Sequence, residues 1–285
     1  MASIAREMEW DDTDLPSTTA LVNYSKDIPR AYANVADPSK DVRPLETHEI
    51  VVHDARTINY RLDLDVEGFR LFDHKSSVSH LRDAAALQET YHAEVGEFIK
   101  RMSGADIVLP YRAYCQVRMS RRGEKDGKGD DTTRPAGFIH SDVTLKTFGD
   151  WARWVQDIEG VAVPDWTRCI LFNTWRAVSR PPQDYPLALV DARSHKTGKY
   201  VVMDNDVGLD SEDHYVETRL GLYDPDDRWY YFSNMREDEL LVFKGYDSRF
   251  GDAQTVMHTG FDNTRLHPDA PPRESIEARF FAFWR

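Results

Sequence analysis

The sequence predicts a mainly β protein with flanking helices, built as a double-stranded β-helix, or jelly roll, of the cupin-like kind. Two observations carry this expectation. From residue 138 onward, nine short runs rich in β-branched and aromatic residues are separated by Pro, Gly, Asn and Asp turns, at the intervals of about 8 to 12 residues typical of sandwiches and barrels. The helical patterns, by contrast, are concentrated ahead of those strands.

A chain of 285 residues suits one domain with decorations, and 41% hydrophobic with 12% aromatic residues is enough to bury a large core. The formal net charge of -13 argues against a nucleic-acid partner, which rewards a basic face. No run of eighteen or more apolar residues predicts a membrane span, and the opening MASIAREMEWDDTD is too acidic for a signal peptide, so a cytoplasmic location is expected. Cys115 and Cys169 are too few for a disulfide framework or a thiolate site. A bound metal would take nitrogen and oxygen ligands.

Residues 1–47 show scattered prolines and charges with little periodicity and read as an extended N-terminal segment, suited to pack in cis or to serve as an exchange arm in a homodimer. A single domain is expected over 48–285. It opens with the strand-like strings EIVVHDA, INYRLDLDV and FRLFDH. Between 79 and 102, Leu81, Ala84, Leu87, Tyr91, Val95, Phe98 and Met102 recur at three- and four-residue spacing and predict an amphipathic helix that Gly104 stops. A strand (YRAYCQVRM) follows, and then SRRGEKDGKGDDTTRPAG, residues 120–137, a long charged loop expected to be a lid or an insert. FGDWARWVQDI predicts a second helix near 148–158, with Trp151 and Trp154 on one face. The nine strand-like runs surround it and complete the chain.

Three His-x-acid strings occur. In a strand, residues i and i+2 share a face, so such a pair can clasp one ion. His92-Ala-Glu94 falls in the predicted helix, where a two-residue step aims the side chains apart, and reads as surface decoration. His267-Pro-Asp269 lies in a proline-rich loop with no histidine after it. His140-Ser-Asp142 sits on an apolar strand, and His195, His214, His258 and His267 could add a third ligand. His195 and His214 fall in polar turns and are expected to be solvated, whereas His258 lies on a late strand that a closing jelly roll returns beside the early ones. His140, Asp142 and His258 are thus the parts of a 2-His-1-carboxylate facial triad for Fe(II). The competing reading is a pair of hydrogen-bonded core histidines.

Fifteen residues after His258, Arg273 is followed at the same parity by Ser275, on a strand expected to run antiparallel to that of His258. A guanidinium and a hydroxyl side by side make a fork for a carboxylate. Arg279 on the same strand face is a competing fork, and pairing of Arg273 with Glu274 or Glu277 is the plainer alternative.

The order HxD, distal His, RxS resembles the Fe(II)/2-oxoglutarate-dependent oxygenases. Asn173-Thr-Trp175-Arg176, Pro186-Leu-Ala188 with Asp191, Trp229-Tyr-Tyr231, Met235 with Asp238-Glu239, Lys244-Gly-Tyr246-Asp247-Ser248 and Arg273-Glu-Ser275-Ile-Glu277-Ala-Arg279 narrow it further. From about residue 50 onward they are similar to a fungal and bacterial group that includes the gibberellin desaturase, the hydroxylase/desaturases of secondary-metabolite clusters and the cephamycin methoxylation protein. Ala177 departs from that group, which has proline there.

The resemblance implies an oxidoreductase, a dioxygenase using Fe(II), 2-oxoglutarate and molecular oxygen. It implies His140, Asp142 and His258 as metal ligands and Arg273 with Ser275 for the far carboxylate of the cosubstrate. The implied substrate is a small, largely apolar natural product, such as a terpenoid or meroterpenoid, that is hydroxylated, desaturated, cyclised or converted to an endoperoxide. Tyr114, Phe138, Trp151, Trp229 and Tyr231 are candidate pocket walls, and core packing explains them as well. For Trp175, Arg176, Tyr231, Lys244 and Asp247, core roles compete with site roles. Two further function classes stay open: an accessory protein of the same fold, and a cupin-type dioxygenase or hydrolase without 2-oxoglutarate.

Overall fold

The computed structural model describes residues 12, 14–34, 36–120, 135–207 and 215–285. Two sheets face one another. The larger has nine strands in the order β1 (Ser17–Ser25), β3 (Leu45–Asp54), β11 (Trp229–Tyr231), β8 (Leu187–Val190), β13 (His258–Gly260), β6 (His140–Ser141), β10 (Tyr215–Gly221), β9 (Tyr200–Asp206) and β2 (Ala31–Asn34). The smaller is antiparallel throughout, in the order β4 (Phe69–Asp73), β12 (Glu239–Asp247), β7 (Arg168–Ala177), β14 (Glu274–Trp284) and β5 (Ile107–Met119). Together they form the expected jelly roll.

The larger sheet must curl. Its edge strands, β1 and β2, are joined by residues 26–30 alone, a link that reaches about 20 Å fully extended. Nine flat strands would hold those edges about 38 Å apart. This is also where the described part of the N-terminal segment goes. β1 pairs antiparallel with β3 over nine positions and β2 pairs parallel with β9, so the segment supplies both edges of the sheet.

The helices divide between the two faces of the smaller sheet. A short turn α1 (Ala84–Ala86), a π-helical turn at Leu87–Tyr91 and α2 (His92–Ser103) run continuously and cover the outer face of the smaller sheet. There Leu87, Tyr91, Val95 and Ile99 meet Phe172, Val242, Ile276 and Phe280. Gly104 ends α2 at φ 69°, a left-handed conformation that glycine adopts without strain. The second helix, α3 (Leu145–Glu159), packs against Leu171, Phe281 and Phe283, inward-facing residues of the same sheet. Its Trp151 and Trp154 both contact Tyr111.

One string changes class. Asp54 accepts the Arg56 N–H and starts a 3-10 helix at Ala55–Arg61, so INYR is not a strand. Ile58 and Leu62 point into the core while Tyr60 is 76% exposed, a spacing that suits a helix and not an alternating strand. Among the described residues no helix is long and apolar enough to cross a membrane. Residues 121–134 of the expected lid, His214 and the side chain of Tyr114 lie outside the described residues.

Candidate active site

β6 and β13 are neighbours in the middle of the larger sheet, in a register that sets His140 directly opposite His258. Opposite residues of an antiparallel pair share a face. Asp142, two residues after His140, lies beside them. One nitrogen from each imidazole and one carboxylate oxygen all fall within 4.8 Å of one another, the only such cluster among the described residues.

Each imidazole has one nitrogen committed. The Nδ1–H of His140 donates to the Phe138 carbonyl at 3.1 Å, and that of His258 to the Val256 carbonyl at 3.2 Å. A carbonyl only accepts, so both protons sit on Nδ1 and both Nε2 lone pairs are left for a metal. Burial, with His258 adding to it, pushes the His140 imidazole down to about 4, which keeps the ring neutral and able to ligate at neutral pH.

Asp142 is held from the opposite sheet. Its Oδ1 accepts a hydrogen bond from the Arg279 guanidinium of β14, and its Oδ2 accepts one from the Asn173 side-chain amide of β7. Burial opposes ionisation, but Arg279 and the two imidazoles outweigh it and hold the carboxyl below the usual range. Two imidazole nitrogens and one carboxylate on one face fit an octahedral Fe(II) that keeps open positions.

Arg273 stands in the same cavity with its charge barely used. It is 1% exposed and donates from Nη1 to the Ser275 hydroxyl at 2.9 Å. Its Nε and Nη2 are buried with no partner among the described residues. Its backbone N–H is fixed by Ser120 Oγ and Asp184 Oδ1, both at 2.7 Å. Burial lowers the guanidinium to about 10, still charged at neutral pH. Two idle donors on a buried cation are costly unless an anion meets them, and a planar fork suits a carboxylate. The residues therefore fit the cosubstrate as well as the metal.

β14 does not run beside the His258 strand as expected. It lies in the facing sheet, because residues 261–273 are long enough to cross between layers about 10 Å apart. Arg273 consequently faces the histidines instead of neighbouring them. Arg279, the rival fork, is occupied by Asp142.

The cavity spans about 540 Å³ including its open mouth. Trp175, Leu187, Phe243 and Ala278 supply apolar wall, and Arg118 with Glu277, Thr174 and Thr259 supply polar groups. None of the described aromatic wall candidates lines it. Phe138 abuts the His140 ring from outside the cavity, Trp151 stacks on Tyr111, Trp229 donates to Tyr24, and Tyr231 packs on Phe261. For Trp229 and Tyr231 the cause is side-chain parity, which sequence leaves ambiguous across turns: they pair with Val190 and Ala188, on the face of β8 opposite Leu187.

Of the five residues left between site and core, Trp175 lines the cavity, beneath the Arg273 guanidinium. Arg176 is spent on Tyr91, His74 and the Glu237 carbonyl. Lys244 and Asp247, both buried, join Arg168 and the half-exposed Asp65 in an ion network, and Tyr231 is core. Two histidine readings need correction. His92 is buried against Phe280 and not surface decoration, although Glu94 does point away from it, to Ser76 and Ser77. His195, expected in solvent, has a 4% exposed side chain beside Asp227, because its polar turn folds back on another acidic loop. Asn173, Ser120 and Asp184 were missed. Asn173 shares the parity of Trp175 on β7, which was the available signal.

A jelly roll with two histidines and a carboxylate converging in its interior defines a non-haem iron oxygenase. A family model described as "Oxidoreductase/YMDC permease-like domain" matches residues 14–283. The Fe(II)/2-oxoglutarate-dependent dioxygenase nvfI of Aspergillus novofumigatus is 29% identical over 247 residues, 83% of each chain. The hydroxylase/desaturase efuI of Hormonema carpetanum is 30% identical over 84% of each, and the hydroxylase/desaturase CTB9 of Cercospora beticola is 30% identical over 85% of this chain and 78% of its own. A solved structure of the iron and alpha-ketoglutarate-dependent endoperoxidase NvfI superposes with a TM-score of 0.76 at 26% identity, covering 94% of this chain and 98% of that one. The chain belongs to this oxidoreductase family, with the Fe(II)/2-oxoglutarate-dependent dioxygenases and hydroxylase/desaturases as its homologues. It is an enzyme of that kind, with Fe(II), 2-oxoglutarate and molecular oxygen as cofactors.

Proposed function

We propose that His140, Asp142 and His258 hold Fe(II), and that Arg273, steadied by Ser275, holds the far carboxylate of 2-oxoglutarate. The product of the site is then an oxidised form of a small, largely apolar natural product of secondary metabolism. When bound, iron and 2-oxoglutarate supply an oxidant, made by oxidative decarboxylation with dioxygen, that takes hydrogen from an unactivated carbon. The protein's part is placement. The two Nδ1–carbonyl bonds aim the imidazoles, Arg279 and Asn173 aim the carboxylate, and Trp175, Leu187 and Phe243 exclude water beside the reacting carbon.

The observation that carries this reading is the buried, half-unpaired guanidinium of Arg273 in the cavity that holds the triad. It weighs against a cupin-type enzyme without 2-oxoglutarate, which has no use for that cation. Anaerobic titration of the Fe(II)-loaded protein with 2-oxoglutarate, followed by its visible charge-transfer band, is the test. The band is expected in the natural protein, absent in Arg273→Ala at full iron occupancy, and absent in His140→Ala because iron is lost. An iron-loaded natural protein with no band overturns the cosubstrate assignment.

A further inference from the structure

Arg279 lies outside the ligand set, and aiming the Asp142 carboxylate does not by itself call for its charge. Its guanidinium donates to Asp142 Oδ1 and stands 5.7 Å over the Trp151 ring, 7% exposed. Among the described residues, the acidic groups at the cavity each have a basic neighbour. Glu277 accepts from Arg118 Nε at 2.7 Å. Asp184 sits behind Arg273, accepting its backbone N–H. Asp142, the one anionic member of the triad, is matched by Arg279. A facial triad ordinarily offers a divalent cation one negative charge; here that charge is already offset before the cation arrives.

We propose that Arg279 is a charge-balancing and positioning residue that acts through Asp142 and sets the site to hold a divalent cation weakly and the cosubstrate dianion strongly. This rests on the assignment of the triad and of Arg273 made above. The physical basis is the sign of one buried charge. A guanidinium beside the ligating carboxylate repels a metal ion and attracts a dicarboxylate in the same low-dielectric cavity, where such interactions are screened far less than in water. Its two ligand effects are therefore opposite. A residue that merely orients Asp142 would, when removed, weaken the cation and leave the dianion no tighter. The metal would then be retained chiefly while 2-oxoglutarate is bound, since each ligand raises the affinity for the other by the same factor.

The test is calorimetric titration of the metal-free protein with Co(II), and of the Co(II)-loaded protein with 2-oxoglutarate, which needs no turnover. Arg279→Gln keeps a hydrogen-bond donor for Asp142 and removes the charge. It is expected to bind Co(II) about tenfold more tightly and 2-oxoglutarate several-fold more weakly, the size a buried unit charge commonly produces. Arg279→Lys keeps the charge and should stay near the natural protein in both. Arg279→Met removes the charge without introducing an unpaired polar group, so it should shift both affinities in the same directions as the Gln variant and serves if that variant does not fold. Weaker Co(II) binding in folded Arg279→Gln, or shifts of the same sign for both ligands, would overturn the proposal. Failure of the site assignment itself is distinguishable: His140→Ala would then leave Co(II) binding unchanged.

Discussion

Arg273 and Arg279 are chemically alike, six residues apart and on one face of one chain segment, yet they face opposite demands. Arg279 is paired with Asp142, and Arg273 keeps Nε and Nη2 buried without a partner among the described residues. Sequence displayed both forks and favoured Arg273 by its position after His258, but parity on a strand is visible there and the facing sheet is not. Ser275 tests the division of labour. Ser275→Ala removes the acceptor of Arg273 Nη1 and should weaken 2-oxoglutarate about fivefold, roughly the 1 kcal/mol of one hydrogen bond, read in the anaerobic titration of the band. Gly260, two residues after His258, has a different reason to be small. A Cβ there would stand 2.4 Å and 2.6 Å from two Tyr185 ring carbons. Gly260→Ala should therefore destabilise the fold by about 1–3 kcal/mol, the usual cost of overpacking, measured as the denaturant midpoint at unchanged slope.

β14 shows how one element serves two layers. Ile276, Phe280 and Ala282 pack in the layer under α2, while Glu277 and Arg279, with Arg273 just before the strand, line the cavity. Ile99→Ala in α2 empties the outer layer and should cost about 2–4 kcal/mol in urea unfolding, while Co(II) affinity stays within a factor of two, because the inner face is untouched. The helical stretch before β5 was legible because its apolar residues keep the 3.6 period. The Ala55–Arg61 helix was not, since its only announcement is the cap from Asp54, and alternation in INYRLDLDV imitates a strand. The N-terminal strands were missed for a related reason. β1 and β2 are edge strands, each with one neighbour, and edge positions do not demand a continuous apolar pattern.

For the whole molecule, buried histidines set the acid limit. Burial pushes His92 from 6.5 down to about 4. Between those values the unfolded chain binds a proton that the folded chain does not, so stability falls as pH drops, by about 1.4 kcal/mol per unit at most. His140 in the metal-free protein acts with the same sign over the same window. The metal-free protein should thus lose melting temperature steadily from pH 6.5 to 4, and His92→Leu, apolar against Phe280, should flatten that slope. An unchanged slope in the variant would remove His92 from this account. Below about pH 4, protonation of Asp65 and Asp247, whose carboxyls are lowered by the Arg168 and Lys244 cations against the opposing effect of burial, adds a further loss.

Sequence by itself determined the jelly roll, through the local periodicity of its strands, and the family, through the motif strings that resemble it, and it singled out His140, Asp142 and His258 as candidates because HxD spacing is local. Tertiary structure alone decided which side chains meet across the layers. It paired His140 with His258 by register, set Asp142 between Arg279 and Asn173, left Arg273 Nε and Nη2 without a partner among the described residues, and replaced the expected aromatic walls with Trp175, Leu187 and Phe243. The reason is physical: spacing along a strand fixes only which face a residue takes, while the curl of one sheet and its placement over the other determine what that face confronts.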